Sequence, residues 1–330
     1  RDGDQDFAVM GFSAIFGPIT RVYRNNVEWD EESQDYNGGF VNLNAGLDGR
    51  AFGAVKWTDY NKDGYIDLIV SGLQLGDNNN QTAATTVYTN TDGQLFTPSI
   101  ELELPNLFDT SIDTGDLDND GDIDFVINGQ QDDGTWKRYI YKREGAQLTP
   151  EIATDGQWND QGFVDGIVRM ADSGIDGDID IYMLGENDGQ IKLNTYIREY
   201  NQSWVDEWLP NMLNASMTVF GDYVYFMGID GNNENIRFYR KSILGGNESG
   251  VGSIDGLLKG DIAIGDYNND GYEDMVITGE NELAESVTKL YDGIPGSGFI
   301  ENTDIELVGL TNSTAKWVDY DMDGDLDLFI

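Results

Sequence analysis

Apolar residues along this chain fall in short runs, and each run is bounded by clusters of Gly, Asn and Asp. Residues 51–104 show the plan. Ala51–Trp57, Leu68–Ser71, Thr85–Thr89 and a segment within Leu95–Leu104 each read as a strand. β-branched and aromatic side chains fill the runs, and turn-forming residues separate them. No helical 3.6-residue periodicity of useful length occurs anywhere in the chain.

The pattern repeats. Residues 54–69 read AVKWTDYNKDGYIDLI and residues 314–329 read TAKWVDYDMDGDLDLF, without a gap between them. Residues 261–276 (DIAIGDYNNDGYEDMV) and 111–126 (SIDTGDLDNDGDIDFV) are further copies. A weaker one lies at 167–182, and the chain opens in the tail of another, Asp2-Gly3-Asp4-Gln5-Asp6. A hidden copy at 217–228, MTVFGDYVYFMG, keeps the strands and has lost the acidic loop between them. Two markers confirm the register. A glycine stands five residues after the last loop position, at Gly11, Gly72, Gly129, Gly185, Gly228 and Gly279. Beyond it comes a strand with Tyr23, Tyr88, Tyr141, Tyr196, Tyr239 or Tyr291. A repeat of roughly 54 residues has room for four short strands. Four-stranded units of this size predict radial packing into an all-β propeller, because a flat array would expose apolar sheet faces. Counting angular positions predicts seven blades, with eight as the alternative, in one domain over 1–330. The terminal repeats look unfinished, so the chain is expected to be a segment of a longer one.

Composition adds the chemistry. The 61 acidic and 19 basic side chains leave a formal charge of −42, and there is no His and no Cys. Disulfides, thiolate zinc sites and Cys/His nucleophile pairs are excluded. Nucleic acid is excluded as an expected partner, since phosphate binding needs a basic footprint. No apolar run is long enough to span a membrane. With 17 Tyr and 14 Phe the chain is not a disordered acidic tail.

The carboxylates concentrate in a loop, D-x-[DN]-x-D-G-x-x-D, at 59–67, 116–124, 266–274 and 319–327. Side-chain oxygens at positions one, three, five and nine, a carbonyl at seven and a turn-making Gly at six suit a hard cation, calcium before magnesium. An EF-hand needs Glu at position twelve. Here Val70, Ile127, Ile277 and Ile330 stand there, so the loop joins two strands instead.

In these loops the sequence resembles the FG-GAP/VCBS repeat family, the calcium-bearing blades of integrin-α-type propellers and of many secreted bacterial proteins. The resemblance implies a loop between strands one and two of each blade and calcium held at five positions. In this chain those are Asp59, Asn61, Asp63, Tyr65 and Asp67, then Asp116, Asp118, Asp120, Asp122 and Asp124. They continue as Asp266, Asn268, Asp270, Tyr272 and Asp274, then Asp319, Asp321, Asp323, Asp325 and Asp327. The copy with Asp172, Asp176, Asp178 and Asp180 has Gly174 at position three and is a degraded fifth candidate, for which weak, water-mediated or no binding all stay open. The expected cofactor is therefore Ca2+ at four or five sites.

Such loops read as structural staples, effective where calcium is plentiful. The expected setting is therefore extracellular or the cell surface, and the expected function a non-catalytic binding or adhesion module. Its partner would be a protein or glycan, or other domains of the same longer chain. A lectin-like propeller is the alternative, and a calcium-dependent polysaccharide lyase a third reading, disfavoured by the absence of His. Trp57 and Trp317 are expected to pack between blades. Lys137, Arg138, Lys142 and Arg143 are expected on a solvated face, balanced by Asp132 and Asp133. Leu73–Ala84 is expected as the longest strand two to strand three connection, and so as a candidate partner site.

Overall fold

A computed structural model describes residues 5–30, 32–33, 35–76, 80–145, 147–150, 161–172, 177–187, 190–197, 203–208, 212–230, 235–243, 254–296 and 298–330. Every named element is a strand. The first group is β1 (Phe7–Ser13), β2 (Gly17–Asn25), β3 (Glu28–Asp30), β4 (Asp35–Asn37) and β5 (Phe40–Asn42). β1, β2 and β5 form one sheet, and β3 pairs with β4 in a hairpin of its own. Then come β6 (Ala51–Thr58), β7 (Asp67–Leu75), β8 (Gln81–Asn90) and β9 (Phe96–Pro98). They are followed by β10 (Phe108–Gly115), β11 (Asp124–Gln130), β12 (Trp136–Glu144) and β13 (Gln147–Pro150). The next sheet holds β14 (Val164–Ala171), β15 (Asp180–Asn187), β16 (Gln190–Ile197) and β17 (Ser203–Trp208). A three-stranded one follows, β18 (Met212–Phe220), β19 (Tyr223–Asp230) and β20 (Asn235–Ser242). The last four-stranded sheet is β21 (Ile262–Gly265), β22 (Asp274–Glu280), β23 (Ser286–Ile294) and β24 (Gly298–Glu301), and β25 (Lys316–Val318) pairs with β26 (Asp327–Phe329).

The fold class is all-β, of the β-propeller type. The expected count of seven blades, or eight, is corrected to five. Among the described residues five sheets are uninterrupted meanders of consecutive strands: β6–β9, β10–β13, β14–β17, β18–β20 and β21–β24. The sheet β1-β2-β5 is broken by the β3–β4 excursion, and β25–β26 has two strands. The chain divides into two compact units. One is Arg1–Met170 with Asp178–Met183 and Thr195–Val205, and the other is Ala171–Gly177 with Leu184–Asn194 and Asp206–Ile330.

Within each unit the core lies between successive sheets. In the first, Ile69 and Val87 meet Ile112, Phe125 and Ile127, while Val126 and Ile140 meet Val168, Ile181 and Met183. In the second, Tyr225, Met227 and Phe238 meet Ile262, Met275, Ile277 and Tyr291. Strand two of a blade is therefore covered on both faces, and β7, β11 and β22 are buried over six successive residues. This is why they read as continuous apolar runs rather than alternating ones. Trp57 packs on a cluster that includes Val22 of β2 and Leu68 of β7. Trp317 stacks on Tyr267 at 5.5 Å and 7°. Both tryptophans thus pack between sheets, as expected.

The sequence markers acquire physical causes. The residue after position nine pairs with the marker tyrosine in Phe7↔Tyr23, Leu68↔Tyr88, Phe125↔Tyr141 and Met275↔Tyr291. The marker glycines Gly72, Gly129 and Gly279 stand where strand two passes the start of strand one, whereas a Cβ on Gly11 would meet nothing within 4 Å. A Cβ on Gly72 would meet the Ala51 carbonyl oxygen at 2.6 Å, and one on Gly279 the Leu258 carbonyl oxygen at 2.4 Å. No larger residue fits so close an approach.

Two local expectations are corrected. β7 and β8 extend to Leu75 and Gln81, so most of the supposed loop Leu73–Ala84 is paired strand. The pairs Leu73↔Ala83, Gln74↔Thr82 and Leu75↔Gln81 continue the ladder past the apolar core. The basic cluster is not a solvated face either. Arg138 is buried, with its guanidinium 5.0 Å from the Phe163 ring centre. Arg143 lies over the Tyr60 ring at 5.5 Å and donates to the Tyr60 carbonyl. Of the expected partners, Asp132 accepts the Ala83 N–H, while Asp133 accepts the Thr135 N–H and also feels the charge of Lys137.

Candidate cation loops

Each of the four complete loops connects the first two strands of its sheet, as the sequence predicts: β6–β7, β10–β11, β21–β22 and β25–β26. The loops are built from nested turns closed by their own carboxylates. The position-six glycine has φ of +82° to +96° at Gly64, Gly121, Gly271 and Gly324. Position four is also left-handed, with φ of +58° at Lys62 and Asn119, +55° at Asn269 and +59° at Met322. Two such residues flanking position five turn the chain back on itself. Every position-six N–H then points at position one. Gly64, Gly121, Gly271 and Gly324 donate to Oδ2 of Asp59, Asp116, Asp266 and Asp319 at 2.8–3.1 Å. Position-seven N–H groups donate to position five in the pairs Tyr65–Asp63, Asp122–Asp120, Tyr272–Asp270 and Asp325–Asp323. Position-five N–H groups donate to position three in Asp63–Asn61, Asp270–Asn268 and Asp323–Asp321.

These bonds use one oxygen of each position-one carboxylate. The other oxygen, Oδ1, is buried with no hydrogen-bond partner in Asp59, Asp116 and Asp319. In the fourth loop Asp266 Oδ1 accepts the Asp270 N–H at 3.1 Å. A buried carboxylate oxygen facing no donor is costly. Its recurrence in three separate loops points to a ligand rather than to a local misfit. In two loops carboxylate oxygens also converge. Oxygens of Asp116, Asp118 and Asp120 lie within 4.8 Å of one another, and so do those of Asp319, Asp321 and Asp327. An all-oxygen, carboxylate-rich donor set fits a hard cation such as Ca2+.

Position nine does more than the motif suggests. Asp67, Asp124 and Asp274 are buried, and Oδ1 of each accepts a backbone N–H from strand three: Asn90, Arg143 and Gly293, all at 2.8 Å. Asp6, last residue of the opening copy, does the same with Asn25 N–H at 2.8 Å. Leu117, Tyr267 and Tyr320 N–H groups donate to Oδ2 of Asp124, Asp274 and Asp327. Burial pushes the Asp67 and Asp124 carboxyls up to about 6, against the opposing pull of those N–H bonds, and neighbouring loop carboxylates add to the rise. Burial also raises Asp274 and Asp327. The cost of these buried charges falls when a cation stands beside them.

In the degraded copy, Gly177 N–H donates to both oxygens of Asp172 at 3.2 Å, and Asp180 is buried. Position five, Asp176, lies outside the described residues. The hidden copy has no loop. Phe220 pairs with Tyr223 across a two-residue turn, Gly221-Asp222, with Gly221 at φ +54°. A glycine with positive φ at the first central position suits a type II′ hairpin.

The sequence reading missed one recurrent feature. Seven residues before position one, Phe52, Asp109, Asp165, Lys259 and Asn312 all have φ between +46° and +54°. Residue type gives no signal, because the conformation is imposed by the bulge where strand one joins its sheet, seen at Ala51/Ala54 and Phe108/Ser111. Partial desolvation, and then the like charge of Asp165, raise the Asp109 carboxyl.

Residues 59–127 match the FG-GAP-like repeat family. No curated protein matches the chain. Among solved structures, a lectin from Aleuria aurantia in complex with alpha-methyl-L-fucoside is 11% identical, over 83% of this chain and 85% of that one, at a TM-score of 0.45. A thermostable family-43 glycoside hydrolase is 10% identical over 78% and 96%, at 0.38. A Trypanosoma rangeli sialidase in complex with the inhibitor DANA is 10% identical over 95% and 56%, at 0.41.

Proposed function

We propose, from the premise that this chain is an FG-GAP-like repeat protein with propeller blades, that it is an extracellular, calcium-stabilised, non-catalytic binding or adhesion module. The observation that carries the calcium reading is the buried, partnerless Oδ1 of Asp59, Asp116 and Asp319, repeated in three loops. Asp59, Asn61, Asp63 and Asp67, Asp116, Asp118, Asp120 and Asp124, Asp266, Asn268, Asp270 and Asp274, and Asp319, Asp321, Asp323 and Asp327 would hold the ions through side-chain oxygens. The carbonyls of Tyr65, Asp122, Tyr272 and Asp325 would complete each set. Bound there, calcium supplies the positive charge that offsets alternating carboxylates within a tight loop.

The chain's own residues do the rest. Glycine N–H groups fix position one, and position nine ties the loop to strand three. The ion thereby bears on three strands of a blade rather than on a surface turn. Recurrence in several blades supports a stabilising role, since a ligand-binding or catalytic centre is made once. At millimolar calcium and a dissociation constant ten-fold lower, each site adds about 1.4 kcal/mol. Four such sites are comparable with the whole stability of a domain, a gain available only where calcium is abundant, which supports an extracellular or cell-surface setting. The partner in this reading is a protein or glycan. Among the described residues no helix is long and apolar enough to cross a membrane.

Calorimetric melting in calcium and in chelator tests the reading. Chelation should lower Tm on the order of 10 °C, calcium should restore it, and magnesium should not. An unchanged melt together with no calcium uptake in a binding titration would remove the cation from the account.

A further inference from the structure

The loops touch one another, and the contact is always between the same two positions. Position four of one loop reaches position seven of the next. Lys62 Nζ lies 3.1 Å from Asp122 Oδ1, and also 3.3 Å from where a Cβ on Gly121 would stand. Asn119 Nδ2 donates to Asp178 Oδ1 at 2.5 Å. Asn269 Nδ2 donates to Asp325 Oδ1 at 2.7 Å. The three donors share the left-handed backbone of position four, with φ of +55° to +58°, which aims the side chain away from its own loop. The three acceptors sit one residue after the position-six glycine of the following loop.

Residue type follows the same rule. Position seven is Asp at 122, 178 and 325, where a complete loop precedes it, and Tyr at 65, after the opening copy, and at 272, where the preceding copy is the two-residue turn Gly221-Asp222. Position four of the degraded loop, whose successor is that turn, is the apolar Ile175. The three loops that are followed by a position-seven Asp each carry a polar donor at position four: Lys62, Asn119 and Asn269. Gly145 N–H also donates to Asp122 Oδ2 at 2.7 Å, which holds that side chain from a second side.

We infer that these bridges couple cation binding between neighbouring loops: filling one loop orders its position-four side chain, which holds position seven of the next loop in the conformation that presents its carbonyl. The inference rests on the calcium reading above. It sets the complete loops in two strings, 59–67 with 116–124, and 266–274 with 319–327. Neither string continues through the turn at Gly221-Asp222, which has no position four and no position seven. Ordering that one binding event has already imposed is not imposed again by the next, so the coupling is positive.

The Asn269–Asp325 bridge is the cleanest to test, because its donor is uncharged and removing it leaves the net charge as it was. The full chain is titrated with calcium alone while amide hydrogen exchange is followed in peptides covering 266–274 and 319–327. Asp270→Ala empties the first of these loops. It should raise the calcium concentration for half-protection of 319–327 by about three- to ten-fold. Asn269→Gly keeps the backbone conformation and removes the donor, so it should produce the same shift with its own loop intact. Asp270→Ala should then have no further effect in that background. Asp325→Ala, which removes the acceptor, should give a shift that does not add to that of Asn269→Gly. If calcium protects both loops but the 319–327 midpoint ignores Asp270→Ala, or shifts equally with and without Asn269, the bridges do not couple the sites and only this inference falls. If calcium protects neither loop at any concentration, the calcium reading falls and takes this inference with it.

Discussion

The connection between β6 and β7 and the one between β18 and β19 solve the same problem with different material. In the first, Thr58 pairs with Asp67 and the residues between form the carboxylate loop. In the second, Phe220 pairs with Tyr223 across a two-residue turn. The strands on either side are alike in pairing and in burial, with Val70 and Phe226 both fully buried in a second strand. Strand three is secured in both. Asn90 N–H goes to the Asp67 carboxylate in one, and the equivalent Ile243 N–H goes to the Asp222 carbonyl in the other. A blade therefore does not need the loop in order to pair its strands. The loop is an addition whose internal repulsion has to be offset, and this is the physical ground for reading it as a cation site.

That comparison can be broken most directly by exchange. Replacing residues 59–66 with Gly-Asp should leave a folded protein with one calcium fewer by titration calorimetry. If the chain no longer folds, the loop is part of the blade's framework and the comparison fails. The next largest effect separates position nine from position five. Asp124→Ala strips the partners from the Arg143 and Leu117 N–H groups, so it should cost about 2–3 kcal/mol in denaturant unfolding even in chelator. Asp120→Ala should abolish the same calcium site yet leave the chelated protein nearly unchanged. Equal losses in chelator would mean that position nine is only a ligand. In the looped-out copy, Asp222→Ala should change neither calcium stoichiometry nor Tm in chelator, because the group used there is a backbone carbonyl.

The smallest effect concerns the strained strand starts. The Asp109 carboxyl is raised in the folded protein, so folding favours its protonated form. Its contribution is present below the ordinary carboxylate range and is lost as pH rises through the raised value. Asp109→Asn should remove that loss and suits the left-handed backbone, so it should raise Tm slightly at neutral pH and flatten the dependence above the ordinary carboxylate range. A lowered Tm at neutral pH would show that the charge is compensated by something other than its surroundings in the fold.

The sequence by itself determined the strand-rich class, the register of the copies and the place of each loop between two strands. Those properties are local: a Gly after the third acidic position, an apolar run after the fourth and a Tyr that pairs with it are all read from spacing. It also identified Asp59, Asp116, Asp266 and Asp319 as first loop positions, because alternate carboxylates around a glycine have few other uses. The tertiary structure decided the rest. That five sheets, and not seven, are uninterrupted meanders depends on the β3–β4 excursion and on the two-stranded pair β25–β26, each of which copy-counting gives an angular position of its own. That Leu73–Ala84 is mostly strand depends on cross-strand partners, and Thr, Ala and Gln have no apolar signature of their own. That Arg138 and Arg143 are drawn inward depends on Phe163 and Tyr60, which are far off in sequence. The bridges from Lys62, Asn119 and Asn269 join loops more than fifty residues apart. A repeat shows which positions are alike, but only packing brings unlike positions of successive repeats within reach of each other.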